Sequence, residues 1–115
     1  MVPLSVLDVA PVAPGSSPRV AINDSVALAQ HCDALGYKRY WVAEHHSMRS
    51  IATSAPEVIV AHVAAVTQRI RVGTGGIMLS NHNPLHLVEI FRTLEAVYPG
   101  RIQSTFPDHH PFRNI

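Results

Sequence analysis

Glu44, His45 and His46 stand side by side, a carboxylate and two imidazoles in a chain that carries eight histidines among 115 residues. Histidine titrates near neutral pH, so the trio offers a general acid/base supported by a carboxylate. The alternative is a pair of histidines satisfied by ordinary hydrogen bonds, and the residues alone weigh the two readings evenly. Gly73-Thr74-Gly75-Gly76 is the second group of interest. It does not have the GxxxxGK[ST] form of a phosphate loop, nor does it match a dinucleotide fingerprint. Glycines at such a place let bare backbone lie against a flat ligand, or take an unusual peptide geometry. A β-bulge is the competing explanation.

The other histidines do not have metal-ligand spacing. No His-Glu-x-x-His sequence occurs, and His82 precedes an expected helix start, so it need not share a face with His86. No metal site is therefore expected. His62 falls on an apolar helix and reads as a hydrogen-bonded core histidine. Cys32, the single cysteine, excludes an intramolecular disulfide and fits a reducing, cytoplasmic compartment. Tyr40 and Trp41 are expected to fill core, and Met78 to serve packing.

These residues need elements to position them. Leu4 to Val9 is a short apolar run, expected as a strand buried on both faces. After a proline-rich loop, Asn23 or Asp24 is expected to cap a helix in which Leu28, Cys32 and Leu35 recur at helical spacing, and Gly36 ends it. A second strand begins at Arg39 and runs through Tyr40-Trp41-Val42 into the Glu44 trio. Ser54 and Pro56 mark the next helix start, and Glu57 to Gln68 is apolar nearly all round, as in a helix buried on most sides. Ile70-Arg71-Val72 opens a third strand. Leu87, Ile90, Phe91, Leu94 and Val97 make a helical stripe that Pro99 and Gly100 close, and Arg101-Ile102 begins a fourth strand.

Strand and helix thus alternate three times with short connections, the pattern of parallel strands joined by right-handed crossovers. A (β/α)8 barrel and a doubly wound sheet share this local grammar, and periodicity does not separate them. In both, ligands sit at the carboxyl ends of strands. Asp8, Glu44-His45-His46 and the glycines with Ser80-Asn81-His82-Asn83 all fall there, which gathers polar and glycine residues on one rim.

Composition narrows the classes. A hydrophobic fraction of 47% argues against disorder, and a net charge of +1 without a basic block argues against nucleic acid as a partner. The apolar N-terminus lacks a basic leader region, and no apolar run approaches the roughly 20 residues of a membrane span. A soluble, cytoplasmic protein without a membrane partner is the expectation.

Four segments then resemble one family. They are Trp41-Val42-Ala43-Glu44-His45-His46, Gly73-Thr74-Gly75-Gly76-Ile77-Met78-Leu79, Asn81-His82-x-Pro84-Leu85, and Leu94-Glu95-x-x-x-Pro99-Gly100-Arg101-Ile102. In order and spacing they are similar to the bacterial luciferase-like, flavin-dependent monooxygenases. The resemblance implies a (β/α)8 barrel that binds reduced flavin mononucleotide (FMN), or in some relatives a deazaflavin, and uses molecular oxygen to oxidise a small organic substrate. It implies that Glu44, Gly75 and Gly76 lie at the cofactor, the glycines in an unusual, often cis, peptide. His45 takes the acid/base role. It also implies an α/β fold consisting of a partial TIM barrel over residues 1–102, about three βα units plus the start of a fourth strand, with a divergent tail at 103–115. The family usually continues with a glycine-rich strand and an arginine, where this chain has Gln103-Ser104-Thr105-Phe106-Pro107. The expectation is therefore a fragment of the flavin site, inactive alone, that self-associates or pairs with a full-length relative, or else a non-catalytic remnant.

Overall fold

The computed structural model describes residues 2–103. Along the chain run β1 (Ser5–Asp8), α1 (Pro18–Ala34), β2 (Arg39–Val42), α2 (Pro56–Val66), β3 (Arg71–Thr74), a 3-10 turn (Leu79–Asn81), α3 (Pro84–Val97) and β4 (Ile102–Gln103). Each helix opens with a proline in its first turn, where the missing N–H costs nothing and φ is already helical. Gly36 takes φ +83° just beyond α1, as the stop position requires. The expected cap at Asn23 or Asp24 is too late. Ser17 caps α1 by accepting the Val20 N–H at 3.3 Å, and Asn23 and Asp24 are exposed residues inside the helix. The Ser17-Pro18 pair was the physical signal.

The strands are all parallel and lie in the order β1-β2-β3-β4. This sequential order, with no reversal, is that of a barrel wall and not of a doubly wound sheet. Ser5, Arg39 and Arg71 are in register, as are Leu7, Trp41, Gly73 and Gln103. Val6, Tyr40, Val72 and Ile102 form the alternate row, and it is this row that packs into the helical layer. One continuous core results, with Tyr40, Val42, Ile59, Val60, Val63, Ile70, Val72, Leu87 and Phe91 at its centre. Each such side chain contributes about 1.5–3 kcal/mol by leaving water.

The opposite sheet face is open, and several residues face other than the sequence led one to expect. The first strand is not buried on both sides, since Leu7 is 62% exposed. In α1 the packed stripe is Ala21, Ser25, Ala29 and Cys32, small residues that let the helix sit close to the sheet, while Leu28 and Leu35 face outward. In α2 the inward residues are Ile59, Val60, Val63 and Ala64, and Val58 and His62 are exposed. His62 is therefore no core histidine: on an almost uniformly apolar helix the pattern does not tell which side meets the sheet. Met78 is exposed as well and fills no core.

One loop is held by charges of both signs. The Asp33 carboxylate accepts the backbone N–H groups of Gln68, Arg69 and Ile70 at 2.7, 3.0 and 2.8 Å. The Arg101 guanidinium donates to the carbonyls of Ile70 and Thr67 at 2.9 and 3.0 Å and to Thr67 Oγ1 at 2.6 Å. Burial would raise the Asp33 carboxyl, but the three N–H donors and the Arg69 charge outweigh it and hold it below its ordinary value. Burial pushes the Cys32 thiol up. No helix among the described residues is long and apolar enough to cross a membrane.

Candidate functional site

The carboxyl ends of β1, β2 and β3 run into loops that are laced together. Val12 N–H donates to the Ser50 carbonyl at 2.8 Å and Ala52 N–H to the Ala10 carbonyl at 3.0 Å. These bonds tie the loop after β1 to the loop after β2. His45 N–H reaches the Thr53 carbonyl at 3.1 Å, and Gly75 N–H reaches the Val42 carbonyl at 2.9 Å.

Asp8, expected on this rim, turns to the helical layer. It is buried, accepts a hydrogen bond from the Tyr40 hydroxyl, and accepts the Ala10 N–H at 2.8 Å. That last bond fixes Ala10, which is fully buried at φ +46°. Burial, and then the adjoining Asp8 carboxylate, push the Tyr40 phenol far above its ordinary range, so it stays a donor. Asp8 and Tyr40 are thus structural. Trp41, on the other row of β2, is only half-buried and lies beside Gly75.

Glu44 is the centre of the polar rim. Its side chain is fully enclosed, yet it is well supplied with partners. Oε1 pairs with His82 Nε2 at 2.5 Å, while Oε2 accepts the Met78 N–H at 2.9 Å and lies 3.3 Å from His46 Nε2. Burial alone would raise its pKa. The donors on His82, Met78 and His46 overcome that and lower it, so the carboxylate is held in its charged form. His45 behaves differently from its neighbours. It is half-buried, and its Nδ1 is enclosed without a hydrogen-bond partner among the described residues. Gly75 and Gly76 are joined by a cis peptide. A Cβ on Gly75 would come within 3.1 Å of Trp41 Cβ, whereas one on Gly76 would meet nothing within 4 Å. The segment therefore has the indole on one side and open space on the other.

The structure brings Glu44, His45, His46 and the glycine pair to one rim, as their places after β2 and β3 require. The sequence places His82 on the rim and in a family motif but does not indicate its partner, and its pairing with Glu44 spans 38 residues of chain. Among the described residues no three or more His, Cys, Asp or Glu side chains are placed so that they could hold a metal ion.

A family model described as luciferase-like monooxygenase matches residues 2–104. The chain belongs to this family. It is 49% identical over 98 residues to the luciferase-like monooxygenase of Escherichia coli (strain K12), covering 85% of this chain and 29% of that protein. The crystal structure of apo-MsnO8 superposes with a TM-score of 0.88 at 49% identity, over 90% of this chain and 32% of that one. The oxygenating constituent of 3,6-diketocamphane monooxygenase from Pseudomonas putida, a type II Baeyer–Villiger monooxygenase in complex with FMN, matches at TM-score 0.81 and 22% identity. That match covers 89% of this chain and 28% of that one, and supports the fold. The luciferase-like chain thus forms a partial barrel that spans about 30% of the length of the relatives it matches.

Proposed function

We propose that this chain supplies the first part of a flavin site in a luciferase-like monooxygenase that acts on a small organic substrate with molecular oxygen, in the cytoplasm. The observation that carries the reading is the bare Gly75–Gly76 backbone, open above Gly76 and backed by Trp41. That surface suits the flat ring of reduced FMN, since bare backbone is offered where a Cβ on Gly76 would meet nothing within 4 Å. Bound there, the reduced flavin supplies the electrons that activate oxygen. His45, half-buried on the same rim, takes the acid/base role that the family resemblance implies for it. Glu44, the enclosed carboxylate at the centre of the rim, belongs to the cofactor site as a fixed negative charge. A deazaflavin is the alternative cofactor for the same surface.

A second reading, a non-catalytic partner of a full-length relative or of another copy, is favoured by the open sheet face with Leu4 and Leu7 exposed on it or beside it.

Anaerobic titration with reduced FMN, in parallel with reduced deazaflavin, separates these readings when wild type is compared with Gly76→Ala. The alanine has room in the protein, so its melting temperature should stay that of wild type. Its flavin affinity should fall by about tenfold or more, equivalent to about 1.4 kcal/mol. Equal affinity in the two proteins refutes the placement. No binding of either cofactor by folded wild type leaves the partner reading, which sedimentation with and without a full-length relative then decides.

A further inference from the structure

We infer that Glu44 and His82 form a strut that sets the position of the Gly75–Gly76 segment, making both of them positioning residues of the rim; the consequence for flavin rests on the reading above. The segment from Gly75 to Asn83 joins β3 to α3. Met78, Leu79, Ser80 and Asn81 are exposed, and Ile77 packs against the core. The backbone N–H groups of Asn81 and His82 bond locally, to the carbonyls of Met78 and Leu79. Among the described residues, the two hydrogen bonds that tie Met78 and His82 to another part of the fold both end on Glu44.

They end on different oxygens of one enclosed carboxylate. Met78 N–H fixes the chain just after the glycines, and the His82 ring fixes it just before α3, so the 3-10 turn is held at both ends. A buried carboxylate keeps its place only with its partners made. The two contacts therefore support each other, and loss of either loosens the other. His46, at 3.3 Å and more exposed, adds the weaker third contact.

The test reads amide hydrogen exchange and flavin affinity in the whole chain. His82→Ala should speed exchange at the Met78 amide by about tenfold, although that amide's own acceptor is untouched. Exchange at Val72 in β3 should stay at the wild-type rate. Glu44→Ala should speed Met78 at least as much, and the double variant should add little to it. His82→Gln, whose side-chain amide can still donate to the carboxylate, should recover part of the protection, and His86→Ala should change nothing. Reduced FMN should bind His82→Ala several-fold more weakly than wild type, with altered circular dichroism of the bound flavin. Wild-type exchange at Met78 in His82→Ala overturns the strut, and unchanged flavin affinity overturns its positioning role. Failure of wild type to bind flavin overturns the functional reading instead, and the exchange rates still decide the strut. If Glu44→Ala does not fold, His82→Ala and His82→Gln carry the test.

Discussion

Replacing Asp33 probes the fold apart from its chemistry. This carboxylate takes three backbone N–H groups within 3.0 Å, and the residue is 6% exposed. A hydrogen bond to a charged group contributes about 1.5–3 kcal/mol, and an abandoned buried donor costs about 1–3 kcal/mol. Gln68 and Arg69 are exposed and can recruit water, whereas Ile70 is buried and cannot. Asp33→Ala should therefore cost about 3 kcal/mol rather than three full bonds. For a domain of this size that lowers Tm by roughly 12–24 °C. Asp33→Asn keeps one oxygen for Arg69 and Ile70 but turns an N–H donor toward Gln68, so about half that loss is expected. The pH dependence has a defined sign. A carboxyl held below its ordinary value of 3.8 stabilises fully above that pH, and the stabilisation is lost as pH falls through the folded-state pKa. The gap between wild type and Asp33→Asn should therefore be constant near neutrality and narrow in acid below that value. Urea unfolding followed by circular dichroism at several pH values measures both. An Asp33→Ala protein within about 1 kcal/mol of wild type would refute the reasoning.

Tyr40→Phe removes the donor to a buried Asp8 oxygen and should cost about 1–3 kcal/mol in the same unfolding assay, since the carboxylate is left short of a partner. Gly73→Ala would bring its Cβ to 2.1 Å from the Gln103 carbonyl oxygen, which is backbone and cannot swing away. The β3–β4 pairing should open, seen as lost exchange protection at Val72, whose N–H donates to the Arg101 carbonyl at 2.8 Å. Retained protection there would count against the close approach.

Much of the frame was legible because it is written locally. The Arg39-Tyr40-Trp41-Val42 strand, Pro56 and Pro84 at helix starts, and Gly36 at a helix stop each act through their own backbone preferences. The places of Glu44, His45 and the glycine pair were legible for a different reason: a parallel α/β chain brings its strand ends to one rim. Facing was not legible. Leu4, Val6, Leu7 and Val9 are apolar on both faces of the strand, and only the register with Trp41 and Gly73 shows that Leu7 lies on the open face. His62 was misread because neighbouring apolar residues do not reveal which side of α2 meets the sheet. The pairing of Glu44 with His82 depends on how the loop after β3 folds back over the end of β2, which no spacing encodes. The tail beyond Gln103 lies outside the described residues, while Gln103 itself pairs with Gly73 in β4.

Asp33 and Arg101 grip opposite polarities of one short loop, the carboxylate taking its N–H groups and the guanidinium its carbonyls. That loop enters β3 at the amino end, whereas Glu44, His45 and the glycines occupy the carboxyl ends. The rim loops are joined to one another as well, but largely through backbone N–H and carbonyl groups. Many side chains there can change while those backbone bonds are kept. In the loop between α2 and β3 the same change would unfasten α1, β3 and β4 together. Such a scaffold has one end where side chains are free to vary and another where they hold the frame.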